Sequence, residues 1–216
     1  MTKKLKYVEE PYEKNRFTEK YDGFYSQFAG LYDRVIRVLP FWKRWLKSVL
    51  PFIEGSKVLE VSFGTGYLLT LFAAKYETYG IDYNATFVHR LEEKLKSKGL
   101  HAEIKQANVE NLPFENDYFD TIINTMAFTA YPDGEKAMSE LNRVLKPGGK
   151  LLLVDVAYPQ KHSGLGMLLT RLWISMGDIV RDMQTLFSKF NFIVREEEIG
   201  GFGSVHLFIA EKPFRE

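Results

Sequence analysis

The strongest constraint on the fold is a short apolar run that stops in a glycine-containing turn and resumes with helical spacing. Lys57 to Val61 is typical of a buried strand, Ser62-Phe63-Gly64-Thr65-Gly66 of a tight turn, and Tyr67 to Tyr76 of a helix. Further strand-like runs follow, with helices or loops between them, at residues 78–82, 101–106, 119–124 and 150–156. Strands that alternate with helices require right-handed crossovers and a mostly parallel sheet covered on both faces. We therefore predict a doubly wound α/β fold.

Helical spacing of apolar residues also precedes this region. It predicts helices over 21–39 and 41–52, with Pro40 ending the first of them. We therefore divide the chain into an N-terminal arm and helical cap, residues 1–54, and an α/β domain, residues 55–216.

Inside the α/β domain, local signals mark where helices begin and end. Asn84 is a suitable N-cap for a helix that runs to Lys98, and Gly99 is suited to close it. The remaining predictions are a helix over 133–145, a long helix over 165–190 and an antiparallel pair of strands over 192–195 and 205–210.

The composition argues against several kinds of function. With 29 Lys and Arg against 28 Asp and Glu, the net charge of +1 lacks the basic excess of a nucleic-acid-binding domain. The absence of cysteine excludes disulfides, thiolate zinc sites and cysteine nucleophiles, and the four histidines are too scattered for a metal site. We see no signal sequence and no run of about 18 apolar residues, so we expect a cytoplasmic protein with at most peripheral membrane contact. Neither a metal nor a nucleic acid is expected as a partner.

The glycine-containing turn is expected at the carboxyl ends of the strands, where open parallel sheets bind ligands. Gly64 and Gly66 let the backbone approach a ligand and offer N–H groups at a helix N-terminus. Asp82 ends the second strand, and a carboxylate there can accept both hydroxyls of a ribose, so an adenosine-containing ligand is predicted. Leu69 stands where a dinucleotide fingerprint needs its third glycine, and no Tyr-x-x-x-Lys occurs. An NAD(P)-dependent oxidoreductase is therefore the second choice.

Five motifs occur in order between residues 55 and 156. They are Val58-Leu59-Glu60-Val61-Ser62-Phe63-Gly64-Thr65-Gly66, Gly80-Ile81-Asp82, Asn111-Leu112-Pro113-Phe114, Tyr118-Phe119-Asp120 and Glu140-Leu141-Asn142-Arg143-Val144-Leu145-Lys146-Pro147-Gly148-Gly149. Together they resemble the motifs of class I S-adenosylmethionine-dependent methyltransferases, and most of all the group containing the ubiquinone/menaquinone-biosynthesis C-methyltransferases. The resemblance implies a seven-stranded sheet whose last strand is antiparallel, S-adenosyl-L-methionine as cofactor, and a small-molecule methyl acceptor.

The resemblance also implies which residues hold the cofactor. Ser62 replaces the glycine that usually begins the family's loop, and Asn108 replaces an acidic residue, although its amide is still expected to face the adenine. Glu60 is expected either to orient the loop or to hold the cofactor's amino group. The full predicted set is Glu60, Ser62, Gly64, Gly66, Asp82, Tyr83, Asn108, Val109, Asn124 and Thr125.

Methyl transfer from a sulfonium is an in-line displacement, in which the protein aligns the nucleophile, excludes water and takes a proton where one is released. Tyr25, Tyr32 and His162 are the candidates for these catalytic roles. The tyrosines lie on an amphipathic segment, where core packing is an equal alternative, and His162 follows a proline in a predicted loop.

Two absences favour a small molecule as the acceptor. Methylation at pyrimidine C5 needs a cysteine, and Asn124-Thr125-Met126-Ala127 differs from the Asn-Pro-Pro-Tyr of many amino-group methyltransferases. The helical segments 40–52 and 165–180 either cover an apolar acceptor, such as a quinone precursor or a lipid headgroup, or only pack on the sheet. A non-catalytic cofactor-binding protein of the same fold is a further alternative.

Overall fold

The computed structural model describes residues 40–161 and 163–214. Seven strands form one sheet in the order β3-β2-β1-β4-β5-β7-β6. The strands are β1 Lys57–Val61, β2 Glu77–Asp82, β3 Glu103–Gln106, β4 Phe119–Thr125, β5 Leu145–Val156, β6 Ile193–Gly200 and β7 Val205–Glu211. The helices are α1 Pro40–Lys47, α2 Leu69–Phe72, α3 Ala85–Lys98, α4 Gly134–Val144, α5 Gly164–Met176 and α6 Met183–Lys189.

The sheet is parallel except for its last strand. Strands β3, β2, β1, β4 and β5 pair in parallel, whereas β7 is antiparallel to both β5 and β6. The strand order reverses between β1 and β4, which places the ligand-binding crevice of such a sheet at their carboxyl ends. The predicted seven-stranded, doubly wound fold is confirmed.

Apolar residues cover both faces of the sheet, as the central strands show. Along β5, Leu151 and Leu153 belong to a core that includes residues of α4 and α6, whereas Leu152 and Val154 belong to a core that includes residues of α2 and α3. Because side chains alternate along a strand, continuous apolar runs such as this one fill both layers at once.

Local signals set the bounds of α3. The side chain of Asn84 accepts hydrogen bonds from the backbone N–H groups of Thr86 and Phe87, and Gly99 closes the helix in the left-handed conformation. Predicted caps and observed caps therefore agree. Among the described residues no helix has both the length and the apolar character needed to cross a bilayer.

Several predicted elements differ in length from the observed ones. The helix predicted over 165–190 is two helices, because Gly177 adopts a left-handed conformation with φ of 114° and Asp182 caps a new helix start. The helix predicted over 67–76 is reduced to α2, and α1 ends at Lys47, before a 3₁₀ turn that contains Pro51. The helix predicted over 21–39 lies outside the described residues.

Candidate functional site

A cavity opens at the carboxyl ends of β1, β2 and β4. Of the ten residues predicted to hold a cofactor, eight line it: Glu60, Ser62, Gly64, Asp82, Tyr83, Asn108, Val109 and Thr125. The sheet positions these residues because Glu60, Asp82 and Thr125 lie in or at the ends of three neighbouring strands. Positions 64 and 82 therefore face a common cavity, as the sequence-based hypothesis requires.

Asp82 is held in place by two loops. Its Oδ2 accepts the backbone N–H of Gly64 at 2.8 Å, and its Oδ1 accepts the backbone N–H of Asn84 at 2.9 Å. The expectation that the Gly64 N–H would be offered to a ligand is wrong, because that group donates to Asp82 instead. A carboxylate has about four lone-pair sites, so two amides do not exhaust its capacity as an acceptor.

The two glycines of the turn have different places. Gly64 lines the cavity with φ of 53°, and a Cβ built on it would meet no atom within 4 Å. Gly66 does not line the cavity. It faces α3 instead, where a Cβ built on it would lie 2.3 Å from Cδ1 of Leu91. Gly64 thus leaves room on the cavity side, whereas Gly66 lets the turn pack against a helix.

Glu60 brings a buried carboxylate to the cavity wall. Its Oε2 is buried and has no hydrogen-bond partner among the described residues. Burial, and then the neighbouring Asp82, raise the pKa of Glu60 well above its ordinary value. A buried carboxylate with an unpartnered oxygen suits a ligand that brings a cationic hydrogen-bond donor such as an ammonium group.

Ser62 belongs to a hydrogen-bonded chain that the sequence did not indicate. Its Oγ lies 2.6 Å from the hydroxyl of Tyr131, which also accepts a hydrogen bond of 2.6 Å from Nδ2 of Asn124. Either hydroxyl can donate in the contact between Ser62 and Tyr131. Asn124 itself is fully buried below the cavity and does not line it, which corrects its predicted place, whereas Tyr131 does line it.

The predicted adenine side of the site lies around the ends of β2 and β3. Tyr83 is 44% exposed, and its carbonyl accepts a hydrogen bond from Nε2 of Gln106 at 3.0 Å. The side-chain oxygen of Asn108 accepts the backbone N–H of Glu110 at 2.9 Å, which fixes a turn and leaves its Nδ2 as the group able to donate. Val109 adds an apolar surface beside it.

The three catalytic candidates, Tyr25, Tyr32 and His162, lie outside the described residues. The structure instead brings Trp42 and Leu46 of α1 into the cavity lining. The ring of Trp42 lies 6.2 Å from that of Trp173 on α5, centroid to centroid. The two helical segments predicted to cover the site are therefore in contact, and one of them contributes directly to its wall.

The strand order, the antiparallel β7 and the position of the cavity define the class I methyltransferase fold. Residues 59–153 match the family model described as a methyltransferase domain. This match and the relatives below confirm the resemblance to class I methyltransferases that the motifs indicated.

Curated relatives include ubiquinone/menaquinone biosynthesis C-methyltransferases. One from Shewanella baltica is 34% identical over 159 residues, which cover 68% of this chain and 63% of that protein. Another, from Francisella philomiragia, is 32% identical over 164 residues, covering 71% of this chain and 65% of the relative. The chain thus spans less than two thirds of the length of these relatives.

Solved structures of low identity share the fold. A SAM-dependent methyltransferase from Aquifex aeolicus superposes with a TM-score of 0.62 at 22% identity, over 77% of this chain and 88% of that one. The [4+2]-cyclase SpnF superposes with a TM-score of 0.65 at 16% identity, over 80% of each chain. Because this fold also occurs in a cyclase, the activity has to be argued from the site.

Proposed function

We propose that the protein is an S-adenosyl-L-methionine-dependent methyltransferase that acts on a small, apolar acceptor. One observation carries the proposal. A single cavity is lined both by Asp82, which two backbone amides hold in place, and by Glu60, whose buried Oε2 has no hydrogen-bond partner among the described residues. This pair suits a ligand that carries both a diol and a cationic hydrogen-bond donor, as an adenosyl amino acid does. The match of residues 59–153 to the methyltransferase family model supports the same assignment.

Each residue then has a role derived from its place in the cavity. Asp82 accepts the ribose hydroxyls, Glu60 accepts the ammonium group, and Gly64 keeps the space beside them open. Asn108 and Val109 face the adenine. The cofactor, when bound, supplies an electrophilic methyl group on a sulfonium.

The chain's remaining contribution is to orient the acceptor and exclude water. Trp42, Leu46 and Met126 add an apolar wall, which favours an apolar acceptor. A quinone-type aromatic ring is supported by the relatives, which are ubiquinone/menaquinone biosynthesis C-methyltransferases. Tyr25, Tyr32 and His162 stay predictions for the proton-accepting role, and a cytoplasmic location also stays a prediction.

The division at residues 54 and 55 also stays a proposal. Trp42 and Leu46 come from the proposed cap, and the other lining residues come from the proposed methyltransferase domain. The site we propose is therefore completed by both parts of the chain.

The cofactor assignment is tested by calorimetric titration with S-adenosylhomocysteine. Asp82→Ala should weaken binding by roughly 1.5–3 kcal/mol, the range for hydrogen bonds to a charged group. Asp120→Ala is a matched control, because Asp120 also accepts two backbone N–H groups, those of Ser56 and Lys57, and is not among the residues that line the cavity. The control should lose stability and keep its affinity.

Unchanged affinity of Asp82→Ala, or equal loss in both variants, would contradict the proposed site. Tighter binding of NAD(P)H than of S-adenosylhomocysteine would favour the oxidoreductase alternative. Incubation with a methyl-labelled donor and candidate quinone precursors separates an enzyme from a non-catalytic binding protein, since only the former yields labelled product.

A further inference from the structure

Helix α5 presents a row of large apolar side chains to solvent. Leu165, Leu168, Leu172 and Met176 are 46%, 62%, 52% and 57% exposed. At 3.6 residues per turn these four positions fall within an arc of about 80° on one side of the helix. We call them the α5 stripe.

The opposite side of α5 is attached closely to the rest of the protein. A Cβ built on Gly166 would lie 2.3 Å from the carbonyl oxygen of Phe202, so only glycine permits this approach. Thr170 is fully buried and its hydroxyl donates to the carbonyl of Ala157 at 2.9 Å. These two contacts fix the rotation of the helix, and the α5 stripe is outward-facing as a consequence.

A second exposed apolar residue, Phe202, lies next to the first turn of α5. It lies at the tip of the β6–β7 hairpin, is 65% exposed, and has a φ of 55°. A bulky residue in the left-handed region is strained, and burial does not compensate for the strain here. The strained tip therefore holds an aromatic ring in solvent, next to the first turn of α5.

The charges of the segments that contain α1 and α5 are of one sign. The segments 40–53 and 157–177 contain no Asp or Glu. Contact between the rings of Trp42 and Trp173 joins the two segments. Their basic residues are Lys43, Arg44, Lys47, Lys161 and Arg171. Arg171 lies about 60° from Leu168 around the helix, whereas Lys43 and Lys47 lie over the ring of Tyr67 in the cavity wall.

We propose that the α5 stripe is a docking surface for an anionic phospholipid bilayer. Apolar side chains that enter the headgroup region and basic residues that attract anionic lipid are the two contributions that hold a helix at such an interface. A second copy of this chain fits less well, because a two-fold contact would oppose the same basic segments. Trp42 lines the cavity and packs on Trp173, so the helix that carries the docking surface adjoins the candidate site.

Flotation of the purified full chain with vesicles tests the proposal. Binding is expected to vesicles of phosphatidylcholine mixed with phosphatidylglycerol, to weaken as salt is added, and to be much weaker with phosphatidylcholine alone. The double variant Leu168→Glu, Leu172→Glu should lower the partition coefficient by at least about tenfold. Both positions are exposed, so the variant should keep the thermal unfolding midpoint of the parent.

Ile193→Glu is the matched control. Ile193 is 68% exposed and begins β6, at the end of that strand remote from Phe202. This variant should bind vesicles as the parent does. Vesicle binding needs no methyl donor, so the measurement stands apart from the proposed activity.

Three results would overturn the proposal. The first is equal binding to anionic and zwitterionic vesicles, and the second is an unchanged partition coefficient in the double variant. The third is self-association, detected by analytical ultracentrifugation, that the double variant abolishes while the parent binds no vesicles. That result would assign the face to a second copy of the chain.

Discussion

The buried Asp155 and the half-buried Asp178 lie side by side on the hydroxyl of Thr129, and the burial and proximity of these carboxyl groups make stability depend on pH. The Thr129 Oγ1 lies 2.9 Å from Oδ1 of Asp155 and 2.7 Å from Oδ1 of Asp178. A hydroxyl carries one proton, so a second proton has to come from one of the carboxyl groups if both contacts are hydrogen bonds. Burial, and then the nearby Asp178, raise the pKa of Asp155 to about 6.

The magnitude follows from the gap between the folded and unfolded pKa values. The unfolded value is 3.8, so the gap is about two units, or about 3 kcal/mol in full. Because the folded state keeps its proton to a higher pH, the stabilisation is complete below about pH 4 and is lost as the pH rises through about 6. About 2 kcal/mol of the change falls between pH 4.5 and 7.5.

Urea denaturation of the parent and of Asp155→Asn at both pH values measures this effect. The variant cannot titrate at position 155, so the difference in unfolding free energy between parent and variant should shrink by about 2 kcal/mol as the pH rises. Taking the difference cancels carboxylates with the opposite behaviour, such as Asp120, whose pKa is lowered to about 2. A difference that is constant with pH, or that grows, would refute the raised pKa of Asp155.

Two further predictions concern the turn after β1 and its contacts. Gly66→Ala should lower the free energy of unfolding in urea by roughly 2–4 kcal/mol, because its Cβ would collide with Leu91. Gly64→Ala should lower it by only about 1 kcal/mol and should mainly weaken the binding of S-adenosylhomocysteine. Equal stability losses would contradict this division. Tyr131→Phe should lower the free energy of unfolding by about 1–3 kcal/mol, because it leaves Nδ2 of Asn124 without its acceptor. Ser62→Gly should lower it less, because glycine relieves the positive φ of 54° at that position. Denaturation midpoints in the reverse order would contradict it.

Local sequence signals predicted the elements that depend on local chemistry. Asn84 and Gly99 bound α3 because a cap needs only the backbone within a few residues of it. The break in the predicted helix over 165–190 was missed, although Gly177 and Asp182 are themselves suitable end and start signals. The apolar spacing continues on both sides of these two residues, so periodicity alone predicts one continuous helix.

Long-range contacts within the site could not be predicted in the same way. Ser62 and Tyr131 are 69 positions apart, and their hydrogen bond exists only because β1 and β4 are neighbours in the sheet. The motifs indicated Asn124 as a cofactor contact, yet its side chain is turned to Tyr131 below the cavity. A motif shows which strand end carries the site, whereas packing decides which of its side chains reaches the cavity.

Asp120, near the start of β4, and Asp82, at the end of β2, each accept two backbone N–H groups, but the charges around them differ. Asp120 accepts two amides and is paired with Lys146 at 2.6 Å, so its charge is compensated within the protein. Asp82 accepts two amides beside a second carboxyl group, Glu60, whose pKa is raised well above its ordinary value by burial and then by Asp82. A ligand with positive charge would stabilise the charged form of both groups, and methyl transfer removes one positive charge from the ligand when the sulfonium becomes a thioether. Under the proposed function, the electrostatics of the cavity therefore favour the methyl donor over the product that has to leave.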